Sequence, residues 1–82
     1  MMLPNREIFL NNICYTDLVF QRVNKKLQTD YSIAEIKNLV DKIIGNPQTT
    51  ITKNGKNYYL LYNNIELVIN SYNFRLITAN RK

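Results

Sequence analysis

Apolar positions follow two rhythms along this chain. Through residues 49–81 they alternate with polar ones, as on a strand, and before that they recur at helical spacing. The helical part divides in three. Pro4 favours a first helical turn, which predicts a short helix over about 5–12. Val19, Phe20, Val23 and Leu27 form a stripe that predicts a second over about 16–27, with Thr16 as its N-cap. Ile33, Ile36, Leu39, Val40, Ile43 and Ile44 predict a third over about 33–44. Ser32 and Glu35 supply a capping box for it, with Tyr31 and Ile36 spaced as a hydrophobic staple. Gly45 and Pro47 stand where such a helix stops.

The alternating part predicts four strands, about 49–53, 56–62, 65–70 and 73–79. Asn54-Gly55 suits a two-residue hairpin turn, because both residues tolerate positive φ. That turn would set Ile51 opposite Tyr58 and Thr49 opposite Leu60. Asn63-Asn64 would set Leu60 opposite Leu67 and Tyr58 opposite Ile69. A third turn at Ser71-Tyr72 would set Ile69 opposite Phe74 and Leu67 opposite Leu76. One face then collects Ile51, Tyr58, Leu60, Tyr62, Ile65, Leu67, Ile69, Phe74 and Leu76. The other collects Thr50, Thr52, Asn57, Tyr59, Leu61, Glu66, Val68, Asn70, Arg75 and Ile77, with Tyr59, Val68 and Arg75 in one row. The expected fold is a single two-layer α+β domain, with N-terminal helices on one face of a four-stranded antiparallel meander.

Composition narrows the function. A hydrophobic share of 45% argues against disorder. No apolar run reaches membrane-spanning length, and no leader pattern is visible, so no membrane role and a cytoplasmic location are expected. The single cysteine, Cys14, allows no internal disulfide. The net charge of +5 is lopsided: residues 1–48 carry six basic and five acidic side chains, and residues 49–82 carry five basic and one acidic. The sheet therefore holds the excess and would attract nucleic acid or an acidic protein.

Catalytic chemistry has little to work with. The chain has no histidine, hence neither the usual general base nor a Cys/His zinc site, and its two glycines make no phosphate loop. No cofactor or metal is implied, and catalysis is not expected. What the second sheet face and its rim offer is Lys53, Lys56, Asn57, Tyr59, Asn70, Arg75 and Arg81. Arg75 can clamp a phosphate bidentately, Tyr59 can stack on a base, and the asparagines add donors and acceptors. The same residues also suit an exposed sheet for strand propensity and solubility alone. Leu61, Val68 and Ile77 beside them could form a homodimer seam.

Two likenesses bear on these expectations. The segments Gly55–Tyr59 (GKNYY), Ile69–Arg81 (INSYNFRLITANR) and Tyr15–Leu27 (YTDLVFQRVNKKL) resemble a small bacterial family catalogued as a domain of unknown function. The resemblance covers residues 15–81 and implies the fold without a reaction. Its relatives are expected to carry Trp at the place of Tyr58 and His at the place of Asn80. Helices followed by a four-stranded meander also resemble the ribonuclease toxins of the barnase and RelE type. The expected role is a non-catalytic module whose basic sheet face engages RNA or DNA. The alternatives are a protein-binding inhibitor or self-associating module of a phage or mobile element, such as a blocker of a nucleic-acid enzyme, and a ribonuclease toxin.

Overall fold

The computed structural model describes residues 3–82. Three helices, α1 (Arg6–Asn12), α2 (Val19–Leu27) and α3 (Ile33–Gly45), precede four strands, β1 (Thr50–Asn54), β2 (Asn57–Tyr62), β3 (Ile65–Asn70) and β4 (Leu76–Arg81). The strands form one antiparallel meander in the order β1-β2-β3-β4. The architecture is the expected α+β arrangement.

Each helix is held at its ends by a specific device. Asn5 caps α1, its side chain accepting from the Ile8 N–H at 3.0 Å. The capping box of α3 is complete: Ser32 Oγ accepts from the Glu35 N–H at 3.1 Å, and Glu35 Oε1 accepts from the Ser32 N–H at 2.9 Å. Two terminal expectations are corrected. Thr16 does not cap α2; its carbonyl accepts from the Val19 N–H in a turn, and the helix begins after Leu18, which makes no side-chain capping bond. Gly45 is not a left-handed cap; α3 runs through it and ends at Asn46 with an ordinary φ of −78°. The left-handed C-cap belongs to α2, at Gln28 with φ 57°.

The core lies between the helices and one sheet face. Phe9, Val19, Val23, Leu27, Ile36, Val40, Ile43 and Ile44 meet Tyr58, Leu60, Leu67, Ile69, Leu76 and Ala79 in one cluster. Burying a side chain of this size stabilises by about 1.5–3 kcal/mol against about 1 kcal/mol for a typical cap, so the stripes rather than the caps decide the packing. Phe9 sets its ring edge-on to Tyr58 and Phe74, with centroids 5.1 and 5.5 Å away.

The three turns differ in how they match expectation. At Asn63-Asn64 both residues take positive φ, 50° and 66°, and the pairs Leu60–Leu67 and Tyr58–Ile69 form as expected. The first turn is displaced. Its central residues are Gly55 and Lys56, and only Gly55 takes positive φ, at 63°. Asn54 therefore stays in β1 opposite Asn57, Ile51 lies opposite Leu60 instead of Tyr58, and Thr49 lies before the strand. The slip is by two residues, so every side chain keeps its face.

The third turn is longer than two residues. Ile69 pairs with Leu76 rather than Phe74, and Leu67 with Ala79 rather than Leu76, with a bulge between Val68 and Ile69. Asn70 Oδ1 accepts from the N–H groups of Tyr72 (2.8 Å) and Asn73 (3.3 Å), and Asn73 Oδ1 from that of Arg75 (2.9 Å). β4 thus starts at Leu76, three residues later than the alternation predicts.

The two sheet edges are unequal. Beside β4, Cys14 adds one parallel bridge: its N–H donates to the Phe74 carbonyl and its carbonyl accepts from the Leu76 N–H. Further along, Arg22 of α2 donates to the Ile77 carbonyl at 3.0 Å. Among the described residues nothing pairs with the outer edge of β1.

Candidate nucleic-acid interface

The sheet face away from the helices carries three cross-strand rows. They read Thr50–Leu61–Glu66–Asn80, Thr52–Tyr59–Val68–Thr78 and Asn54–Asn57–Asn70. Tyr59 stands in the middle row as expected. Arg75 does not: the bulge places Thr78 opposite Val68, and Arg75 belongs to the third turn. The apolar strip is broken too. Val68 is only 6% exposed, Leu61 faces Glu66 across the strands, and Ile77 lies at the bulge.

One end of the sheet gathers most of the remaining candidates. Lys56 sits in the first turn, and its carbonyl accepts from the Ser71 N–H at 2.8 Å, which ties the first and third turns together. Asn57 begins β2 opposite Asn70, and the Asn70 N–H donates to the Arg75 carbonyl at 2.9 Å. Lys56, Asn57, Asn70 and Arg75 are thereby neighbours, although 19 positions separate Lys56 from Arg75. Tyr59 follows two residues up β2 on the open face. Lys53 stands at the same end, but in register with Tyr58, on the helix side of the free edge.

Arg81 lies at the opposite end, where β4 pairs with Ile65, and its guanidinium donates to the Leu27 carbonyl at 2.9 Å. It closes the end of α2 and stands apart from the cluster. Asn70 has its side-chain oxygen committed to the turn, so within the cluster it shapes the loop that holds Arg75.

The charged side chains that the sheet and its turns place at this end are all positive. Lys53, Lys56 and Arg75 are exposed, and none is in an ion pair among the described residues. The one acid of the sheet, Glu66, points at the far end, opposite Asn80, and pairs with Lys82 at 3.4 Å. Two cations of the helices are engaged within the fold. Arg6 donates to the carbonyls of Asn46, Pro47 and Thr49, and Lys37 lies 5.4 Å over the Tyr15 ring.

Sequence reasoning missed one residue here. Tyr72, at the tip of the third turn, is 78% exposed, the most exposed large apolar side chain among those described. Its signal was an aromatic residue inside an Asn-Ser-Tyr-Asn turn, where burial is not available to explain it. The cluster thus offers two cations, two amide side chains and an exposed ring, with Lys53 adding a third cation from the helix side of the same end. It holds no carboxylate or imidazole to accept a proton, and no group of three metal-ligating side chains occurs among the described residues. No helix of the described residues is long and apolar enough to cross a membrane.

A protein-family model described as "Protein of unknown function (DUF3781)" matches residues 8–80. No curated protein and no solved structure matches the chain.

Proposed function

The chain belongs to the DUF3781 family of unknown function, and from that premise we propose that it is a non-catalytic module that binds single-stranded nucleic acid at the turn end of its sheet. The observation that carries this reading is that exposed Lys53, Lys56 and Arg75 lie at the same end of the sheet as exposed Tyr72, while the one acid of the sheet, Glu66, lies at the other end. Phosphates are met by the cations, Arg75 being able to engage two oxygens at once. Bases stack on Tyr72, whose exposed ring face takes any base, and the Asn57 amide hydrogen-bonds their edges. A single strand suits the site better than a duplex, because its ring must reach an unpaired base. The open face around Tyr59 continues the contact surface along β2.

Binding of a fluorescent single-stranded oligonucleotide, followed by anisotropy across a salt series, tests this. Each phosphate contact contributes a slope of about −0.7 in log affinity against log salt, so three cations give about −2. Arg75→Ala with Lys56→Ala should bring the slope to about −0.7. Tyr72→Ala should weaken binding by about 1–3 kcal/mol and leave the slope unchanged. Absence of binding at low salt, or a slope unaffected by the paired substitution, overturns the reading.

A further inference from the structure

A second surface has different chemistry. The outward side of α2 and the turn before it form a shallow groove of about 580 Å³ lined by Leu18, Gln21, Arg22, Lys25 and Lys26. Leu18 is 66% exposed, the most exposed aliphatic side chain among those described, and stands outside the core cluster. It occupies the N-cap position of α2 without a capping bond, directly after Thr16 and Asp17, whose side chains suit that position. A leucine that neither packs nor caps breaks a local rule without structural return, and such departures gather at functional positions. Around it Arg22, Lys25 and Lys26 are exposed and outside any ion pair among the described residues, while Asp17 is the one acid adjoining the groove in sequence.

We propose that this groove docks an acidic, amphipathic segment of a protein partner, which buries an apolar side chain against Leu18 and sets its carboxylates against Arg22, Lys25 and Lys26. An apolar anchor inside a charged rim is the anatomy of a protein interface. Charge complementarity fixes the sign of the partner, and the helical repeat of the groove residues suits an amphipathic helix. A nucleic-acid strand fits less well, since the groove has no aromatic ring for a base and gives Leu18 nothing to cover it. Arg22 is already oriented, with Nη1 fixed on the Ile77 carbonyl. The inference does not rest on the nucleic-acid reading: the turn cluster is built from other residues.

The isotopically labelled full chain, titrated in an NMR experiment with a synthetic helical peptide, tests it. The probe has leucines at i, i+3, i+4 and i+7 and glutamates elsewhere. Amide shifts should move over residues 18–26 and stay still around Lys56 and Arg75. Leu18 is 66% exposed and outside the core cluster, so the fold should survive Leu18→Ser, and the affinity should fall about tenfold. Lys25→Glu with Lys26→Glu should abolish the shifts. A control peptide with serine for leucine should bind at least about tenfold more weakly. Equal binding of the two peptides, an unchanged affinity in Leu18→Ser, shifts confined to the turn cluster, or preference of residues 18–26 for oligothymidylate over the peptide would each overturn the proposal.

Discussion

Tyr15 shows how much of this molecule is settled by single side chains. Its ring stacks on Phe20, with centroids 5.5 Å apart and planes 20° from parallel, and Lys37 lies over the same ring. Its hydroxyl is buried without a hydrogen-bond partner. Burial first, then Asp41 and Cys14, push its pKa up to about 12 from 10.0. The unfolded chain therefore releases this proton first. Between pH 10 and about 12 the folded state binds more protons than the unfolded one, so stability falls as pH rises through that window. Tyr15→Phe should remove this contribution. At neutral pH it should be neutral or stabilising by up to about 1 kcal/mol, because an unpaired buried hydroxyl leaves with it. Urea unfolding of both proteins at neutral pH and across the window checks this, and parallel losses of stability would refute it. Other residues had roles that spacing could not reveal. Asn24 looks like one more polar position on α2, yet its amide donates to the Tyr31 carbonyl and its oxygen accepts from Thr29 and Tyr31. Arg6 counted as surface charge and instead holds the link from α3 to β1. Both act on partners that only the folded chain brings near.

Among the elements, those whose signals are local were legible and those set by tertiary packing were not. The capping box of α3 lies within four residues, and the Asn63-Asn64 turn within two. Both formed as the sequence implies. The first hairpin slipped its turn by one position on each side, but a slip of two in register keeps the pleat in phase, so the core list survived. The third turn defeated the alternation because Phe74 takes φ 56°, which a bulky residue adopts at a cost of about 1–3 kcal/mol. Its ring, 5.5 Å from Phe9 and 6.0 Å from Tyr58, offsets that cost through contacts 65 and 16 positions away in the chain. The candidate site inherited the same limit. Asn57 and Tyr59 stood where the strand phase put them, whereas Lys56 moved into the first turn, Arg75 into the third, and Arg81 was drawn to α2. The local devices can be tested directly. Ser32→Ala should cost about 1 kcal/mol by opening the capping box. Asn64→Gly should stabilise by up to about 0.5 kcal/mol, since φ 66° suits glycine better than asparagine. Denaturant midpoints decide both, and a destabilised Asn64→Gly would show that the asparagine side chain has a further role.

For the molecule as a whole, the two edges of the sheet differ in their capacity to pair with another chain. The β4 edge is occupied by Cys14 and by Arg22 of α2, so backbone pairing there is blocked from within. The β1 edge is open, and its sequence, Thr-Ile-Thr-Lys-Asn, has high strand propensity with one charge. Two copies meeting antiparallel through β1 about Thr52 would set each Lys53 across from the other copy's Ile51, stripping water from an ammonium beside an aliphatic chain. A lysine on an edge strand opposes pairing in this way. Lys53 is thus expected to have two duties, contributing to the positive turn end and opposing pairing at the free edge. Lys53→Val separates them. It should weaken oligonucleotide binding modestly, lowering the salt slope by about 0.7. It should also raise the weight-average mass with concentration in sedimentation or light scattering, while the parent chain stays a monomer over the same range. A parent chain that is already dimeric through β1, or a valine variant that remains monomeric at high concentration, would show that something other than this lysine governs the edge.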